Sequence, residues 1–277
     1  MSKRKSTHIE AAGRRIHVTE EGTGKPLVLI HGGGPGASGL SNYAGNINAL
    51  ARDFRVIVPD LLGYGESDKP TLEGPRIAFY SKGVVDLLKA MDTGPVHLVG
   101  NSLGGAVAMW IAINESALVE RLVMMGPGIG FPTHAVFPTE GWKHMAGYYA
   151  PPGPSIEKME AFIKVMVRDP SMATPELVQA RYEASIRPDV IAAQPGPPSP
   201  DSPYEMMAKE VHRLQKPTLI MWGRDDRVVP YDSAFQFFGQ MTDAELHVIA
   251  DCGHWVQAEK PDVFSRLVTE FCTRDAR

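Results

Sequence analysis

The stretch Val96-His-Leu-Val-Gly-Asn-Ser-Leu-Gly-Gly-Ala-Val-Ala-Met-Trp-Ile-Ala112 decides how the rest of the chain is read. Val96 to Val99 is a short, mostly apolar run that predicts a buried strand. Gly100-Asn101-Ser102-Leu103-Gly104-Gly105 follows, and then a run of small and apolar residues that predicts a helix. Gly-x-Ser-x-Gly between a strand and a helix is the setting of a nucleophile elbow. The turn is sharp enough to strain the serine, and a Cβ on either flanking glycine would collide with neighbouring backbone. The hydroxyl would then stand at the start of a helix, where the dipole favours developing negative charge. Without partners, the same motif is a Gly-rich turn with an N-capping serine.

Outward from the elbow, strand patterns alternate with helical ones. Residues 8–10 and 15–19 read as strands around the turn at Ala11-Ala12-Gly13. Strands are also expected at 26–30, 55–59, 96–99, 119–125, 217–222 and 244–249, and helices at 41–51, 81–91 and 261–272. Alternation of this kind predicts an α/β fold, with a mostly parallel eight-stranded sheet and helices on both faces. Between Met125 and Pro217 the rhythm breaks. Pro- and Gly-rich stretches there separate helical patterns at 156–168 and 175–186. This predicts a helical cap at 131–205 inserted into a core made of 1–130 and 206–277.

With 277 residues, 43% hydrophobic and 22% charged, the chain suits one large core domain with an insertion. A formal net charge of −4 gives no reason to expect a nucleic-acid partner. The basic start, Met1-Ser-Lys-Arg-Lys5, is not followed by an apolar segment, and no apolar run approaches the ~20 residues that span a bilayer. Neither a secretory signal nor a membrane partner is therefore expected. Two cysteines, Cys252 and Cys272, are read as free thiols of a cytoplasmic protein.

A serine hydroxyl needs a base, and the base needs an orienting acid. Of nine histidines, His254 in Cys252-Gly-His-Trp255 follows the last expected strand, at the sheet edge where such folds gather their sites. His97 and His247 fall inside strands, and His8, His17, His134, His144 and His212 are isolated. No spacing among them suggests a metal site. Cys252 would be a neighbour of His254 on one loop, not a partner across a substrate. The acid is expected in Trp222-Gly-Arg-Asp-Asp-Arg-Val-Val-Pro230, where Asp225 and Asp226 compete. Oxyanion donors are expected from the N–H of Leu103, just after the serine, and from Gly33 in His31-Gly-Gly-Gly-Pro-Gly36. Absent side chains there let a backbone N–H approach a substrate.

These pieces together resemble the α/β-hydrolase fold, and within it the meta-cleavage product hydrolases, which break carbon–carbon bonds in aromatic degradation. The resemblance rests on His31-Gly-Gly-Gly-Pro-Gly-Ala37, Ser41-Asn-Tyr43, Gly100-Asn-Ser-Leu-Gly-Gly105, Arg181-Tyr-Glu183, Gly223-Arg-Asp-Asp-Arg-Val-Val-Pro230 and Cys252-Gly-His-Trp255. It selects Asp226 as the acid. It also implies that Gly32, Gly34, Asn42, Asn101, Arg181 and Trp255 contact substrate, with Arg181 binding a carboxylate. The implied substrates are 2-hydroxy-6-oxohexa-2,4-dienoates, of phenyl type at C6, cleaved without metal or organic cofactor by a homo-oligomer. The chain departs from the family pattern in Leu103, where methionine is often found. It departs again in Val228, where an aromatic can line the pocket for the C6 substituent. Rival readings are a carboxylesterase, a proline iminopeptidase, or a ligand receptor on a hydrolase scaffold.

Overall fold

The computed structural model describes residues 4–128, 133–193 and 207–275. Eight strands form one sheet: β1 (Lys5–Ala11), β2 (Arg14–Glu21), β3 (Lys25–Ile30), β4 (Phe54–Pro59), β5 (Val96–Asn101), β6 (Val119–Met125), β7 (Thr218–Gly223) and β8 (Ala244–Ile249). Their spatial order is β1-β2-β4-β3-β5-β6-β7-β8. β1 pairs antiparallel with β2, and β2 antiparallel with β4. The remaining pairs are parallel.

The central strands are continuous apolar runs because both of their faces are covered. Along β3, Val28 and Ile30 point into one core layer while Leu27 and Leu29 point into the other. The first layer holds α3 (Arg76–Ala90), α4 (Leu103–Asn114) and α9 (Asp232–Phe238). The second holds α1 (Gly39–Tyr43), α2 (Ile47–Leu50), α10 (Val256–Glu259) and α11 (Pro261–Thr273). Each fully buried aliphatic side chain in these layers contributes about 1.5–3 kcal/mol of transfer free energy. The helix expected over 41–51 is two short ones, with Gly45 lying between them. The helix expected at 81–91 begins at Arg76, directly after Pro75.

Four further helices lie over the carboxyl ends of the strands: α5 (Glu140–Gly147), α6 (Ile156–Met166), α7 (Pro175–Ser185) and α8 (Pro188–Ala192). Of these, α5, α6 and α7 contribute to a third apolar cluster built on Tyr148, Met159, Phe162, Ile163 and Val178. α6 and α7 fall within the helical stretches expected at 156–168 and 175–186, whereas α5 and α8 were not expected. Side-chain caps start three of the four: Thr139, Ser155 and Thr174 each accept an N–H of the first turn. The expected borders of the cap, near 131 and 205, lie outside the described residues.

Candidate active site

The sheet order places the carboxyl ends of β3, β5, β6, β7 and β8 side by side, and the site is assembled from the turns that leave them. Ser102 lies between β5 and α4 with φ 54° and ψ −115°, a left-handed conformation that a non-glycine residue adopts only under constraint. The constraint is visible. Ser102 N–H donates to Met125 O at 2.8 Å, and its carbonyl accepts Ala106 N–H at 3.1 Å. A Cβ on Gly100 would lie 2.2 Å from Gly104 O, and one on Gly104 would lie 2.1 Å from Ile30 O. The glycines are therefore required by the backbone packing of strand against helix.

After β8, the loop brings His254 back towards β7. His254 Nδ1–H donates to Asp226 Oδ2 at 2.7 Å, with both side chains nearly removed from solvent. Asp226 Oδ1 accepts the N–H groups of Val228 and Val229 at 2.8 and 3.0 Å, so a local turn fixes the carboxylate. Asp225 points elsewhere; its carboxylate accepts Cys252 N–H at 3.3 Å. With Nδ1 donating, Nε2 of His254 carries the lone pair. Two links join this dyad to the elbow. Asn101 Nδ2, one residue before the serine, donates to His254 O at 3.1 Å. Gly126, following the Met125 that holds Ser102, leaves room for the dyad: a Cβ there would lie 3.1 Å from both His254 Nδ1 and Asp226 Oδ2.

The Gly-rich loop leaves β3 on the other side of Ser102. A Cβ on Gly32 would be 3.4 Å from Ser102 Cβ, and one on Gly33 would be 3.4 Å from Leu103 Cδ2, so Gly33 and Leu103 are neighbours. Among the described residues, neither of their N–H groups has a protein acceptor. The loop is held from behind. His31 Nε2 accepts Leu61 N–H at 2.9 Å, which leaves Nδ1–H to donate to Gly32 O at 2.7 Å. Burial lowers the His31 pKa and keeps this arrangement neutral. Asn42 Oδ1 accepts Gly32 N–H at 3.3 Å, so in this state Asn42 braces the loop.

Arg181 comes down from cap helix α7 and is 3% exposed. Its Nη2 donates to Pro35 O at 2.9 Å and its Nη1 to Ser41 Oγ at 3.3 Å. The guanidinium lies 5.2 Å from the Trp255 ring centre and 5.9 Å from that of Phe162. Nε has no partner, and among the described residues no carboxylate pairs with the group. Burial lowers its pKa to about 10, so it remains a cation at neutral pH. A cation removed from water with only neutral acceptors around it is costly, and an anionic ligand would offset that cost. Gly34 and Gly36 let the cap sit this close: their Cβ atoms would meet Phe162 Cζ at 2.8 Å and Arg181 O at 2.2 Å.

The structure thus brings Ser102, Leu103, Gly32, Gly33, Gly34, Asn101, Asp226, His254, Trp255 and Arg181 into one region at the carboxyl ends of the strands. Asn42 stands behind the loop. Sequence reasoning missed Phe162, the cap residue seated on Gly34, and Glu259, which bonds the histidine loop. Neither carries a local motif. Among the described residues, no group of three or more His, Cys, Asp or Glu is set to hold a metal ion, and no helix is long and apolar enough to cross a membrane.

Comparison with known proteins adds independent information. Residues 27–267 match the family described as the alpha/beta hydrolase family. A 2-hydroxy-6-oxo-6-phenylhexa-2,4-dienoate hydrolase from Burkholderia cepacia is 36% identical over 266 residues, covering 93% of this chain and 91% of that protein. A 2-hydroxy-6-oxononadienedioate/2-hydroxy-6-oxononatrienedioate hydrolase from Burkholderia vietnamiensis is 38% identical over 268 residues, covering 94% and 91%. The solved meta-cleavage product hydrolase from Pseudomonas fluorescens IP01 superimposes with a TM-score of 0.86 at 35% identity, covering 96% of this chain and 97% of that one. Taken with the elbow and the glycine loop, this establishes that the chain belongs to the alpha/beta hydrolase family, among its meta-cleavage product hydrolases.

Proposed function

We propose that the chain hydrolyses a carbon–carbon bond in 2-hydroxy-6-oxohexa-2,4-dienoates with an apolar C6 group, phenyl foremost. The products are 2-hydroxypenta-2,4-dienoate and a carboxylic acid such as benzoate. The observation that carries the reading is Arg181: a buried cation without an acid partner among the described residues, wedged between the glycine loop and Trp255 beside the His254–Asp226 pair. A dienoate supplies the missing carboxylate. An iminopeptidase substrate would bring an ammonium group to the same place.

In this reading the substrate carboxylate pairs with Arg181. The dienol tautomerises to its keto form, so that the electrons of the breaking bond have a conjugated carbonyl to enter. Ser102 Oγ attacks the C6 carbonyl while His254 Nε2 accepts its proton, and Asp226 steadies the imidazolium. The oxyanion accepts the N–H groups of Gly33 and Leu103. The C5–C6 bond breaks, its electron pair passes through the C3–C4 double bond into the 2-oxo group to give a dienolate, and the 2-oxygen of that dienolate takes the proton from His254. Water, deprotonated by the same histidine, releases the acid from Ser102. No step calls on a metal or organic cofactor.

The test is spectrophotometric. Yellow 2-hydroxy-6-oxo-6-phenylhexa-2,4-dienoate should bleach with the wild-type protein and keep its colour with Ser102→Ala. Persistent colour with the wild type, alongside rapid hydrolysis of p-nitrophenyl esters, would give the site to an esterase. We further assign residues 131–205 to a substrate-covering cap. The protein is placed in the cytoplasm, in keeping with two buried free cysteines, and is taken as a homo-oligomer by resemblance to its family.

A further inference from the structure

The cap does more here than cover the cleft, because the loops carrying the dyad are bonded to it. α6 ends at Met166, and Met166 O accepts His254 N–H at 2.8 Å. Two residues later, Arg168 N–H donates to Glu259 Oε2 at 2.7 Å. The other oxygen of the same carboxylate accepts Gly253 N–H at 2.9 Å. One side chain, on the short helix after the histidine loop, thus holds both the residue preceding His254 and the exit of the cap helix. The fit is close: a Cβ on Gly253 would lie 2.9 Å from Arg168 N, 2.9 Å from Met166 O and 3.0 Å from Glu259 Oε1.

The acid loop is tied to the same place. Arg227, next to Asp226, donates to Lys164 O and to Val167 O, the latter at 3.1 Å. Its own carbonyl accepts Gly141 N–H from α5 at 3.0 Å, and Val228 O accepts Thr139 Oγ1–H at 2.8 Å. The core contributes one comparable restraint on the histidine backbone, the Asn101 bond to His254 O. The histidine loop also begins at Asp251 with φ 52°, a conformation that is held rather than preferred. Burial raises the Glu259 carboxyl above its usual range against the pull of the N–H groups it accepts. Desolvating a carboxylate in such a place costs free energy, and the Arg168 and Gly253 N–H groups that it accepts offset it.

We infer that Glu259 is a positioning residue: it clamps the His254 loop to the end of cap helix α6, so that the aim of the dyad depends on the seat of the cap. This rests on the reading of His254 as the base, and it predicts a consequence which a simple lid would not have. Loosening the clamp should disturb the chemical step and the His254–Asp226 hydrogen bond more than substrate affinity, because the hydrogen bonds that hold Arg181, to Pro35 O and Ser41 Oγ, lie outside the clamped elements.

Two substitutions test it. Glu259→Gln keeps the shape but offers an amide where an acceptor is needed. Glu259→Asp keeps the charge but falls short of both N–H groups. For each, kcat should fall roughly 10- to 100-fold, the scale of a misplacement near 1 Å, with KM for the dienoate unchanged within about threefold. The far-downfield proton resonance of the short, charge-assisted His254 Nδ1–H bond should broaden or vanish. Parallel assays with a p-nitrophenyl ester separate this proposal from the substrate assignment, since ester turnover uses the same dyad without needing Arg181. Loss of ester turnover with an altered resonance supports the clamp even if no dienoate is cleaved. Folded variants with kcat within twofold of wild type and an unchanged resonance would overturn it, as would a loss confined to KM. Should neither variant fold, amide exchange on the wild-type protein decides. The clamp requires Gly253 and Arg168 N–H groups to be protected together, and free exchange of either one removes it.

Discussion

His254 Nδ1 donates to Asp226 Oδ2 across 2.7 Å, while the adjacent Asp225 spends its carboxylate on Cys252 N–H. Two neighbouring aspartates therefore have separable roles. Asp226→Asn should keep the turn through Val228 and Val229 yet present the wrong partner to the imidazole. The expected loss in kcat is about 10³- to 10⁴-fold, the size seen when a triad carboxylate becomes an amide. Asp225→Asn should cost less than about tenfold, in line with the loss of one backbone hydrogen bond. Steady-state kinetics on the chromogenic dienoate distinguish them, and equal losses would reject the assignment of Asp226.

The elbow makes a prediction about stability. A Cβ on Gly104 would sit 2.1 Å from Ile30 O, a backbone atom that cannot step aside, whereas one on Gly45 meets nothing within 4 Å. Gly104→Ala should therefore destabilise by more than about 3 kcal/mol or prevent folding, as overpacking against fixed backbone does. Gly45→Ala should stay within about 0.5 kcal/mol of wild type. Thermal or urea unfolding of the two variants measures the difference directly.

The contrast between those glycines shows what was legible in the sequence. Apolar runs at 26–30 and 96–99 are dictated by burial on two faces, and Gly100-x-Ser102-x-Gly104 by a turn with no room for side chains; both are local patterns. α6 was legible through its regular Met, Phe and Val positions between 159 and 167, and α7 as a helical stretch between Pro- and Gly-rich breakers. α5 was not, because its eight residues include two glycines and it is held by the Thr139 cap and by contact with Val228 rather than by propensity. Asp225 and Asp226 could not be told apart from the residues alone, since what separates them is a turn that aims one carboxylate at a histidine 28 positions away. Glu259 left no trace for the same reason: Arg168, one of its two backbone partners, lies 91 positions away.

Arg181 joins function to stability in one residue. Its guanidinium is buried, stacked on Trp255 and without an acid partner among the described residues. Arg181→Met should remove a desolvation cost and raise the unfolding temperature, because an apolar side chain of similar length replaces an uncompensated cation. The same change should lower kcat/KM for dienoates by about 10- to 100-fold, the worth of one or two hydrogen bonds to a charged group, and leave neutral esters within a few fold. Arg181→Lys should restore little, as a point charge cannot reproduce a planar fork that stacks and donates at once. A Met variant that is less stable, or that loses ester and dienoate turnover equally, would contradict this account.

His97 predicts how the protein responds to acid. Its ring is 1% exposed on β5, and neither ring nitrogen finds a hydrogen-bond partner among the described residues. Burial lowers its pKa from 6.5 to about 4, with Glu120 opposing that shift and Lys25 and Arg121 reinforcing it. The folded state therefore binds the proton more weakly than the unfolded chain does. The stability tied to neutral His97 is complete above pH 6.5 and is lost progressively as pH falls from 6.5 towards 4. On the order of 2 kcal/mol is at stake, allowing for the solvent-reached cavity that the ring borders. His97→Leu keeps the side chain apolar and cannot take up the proton. Urea midpoints at pH 7.5 and 4.5 should show the wild type losing more stability than the variant by about that amount, with titrating groups remote from His97 cancelling in the difference. Parallel losses in the two proteins would mean that the buried imidazole is not the acid-sensitive element.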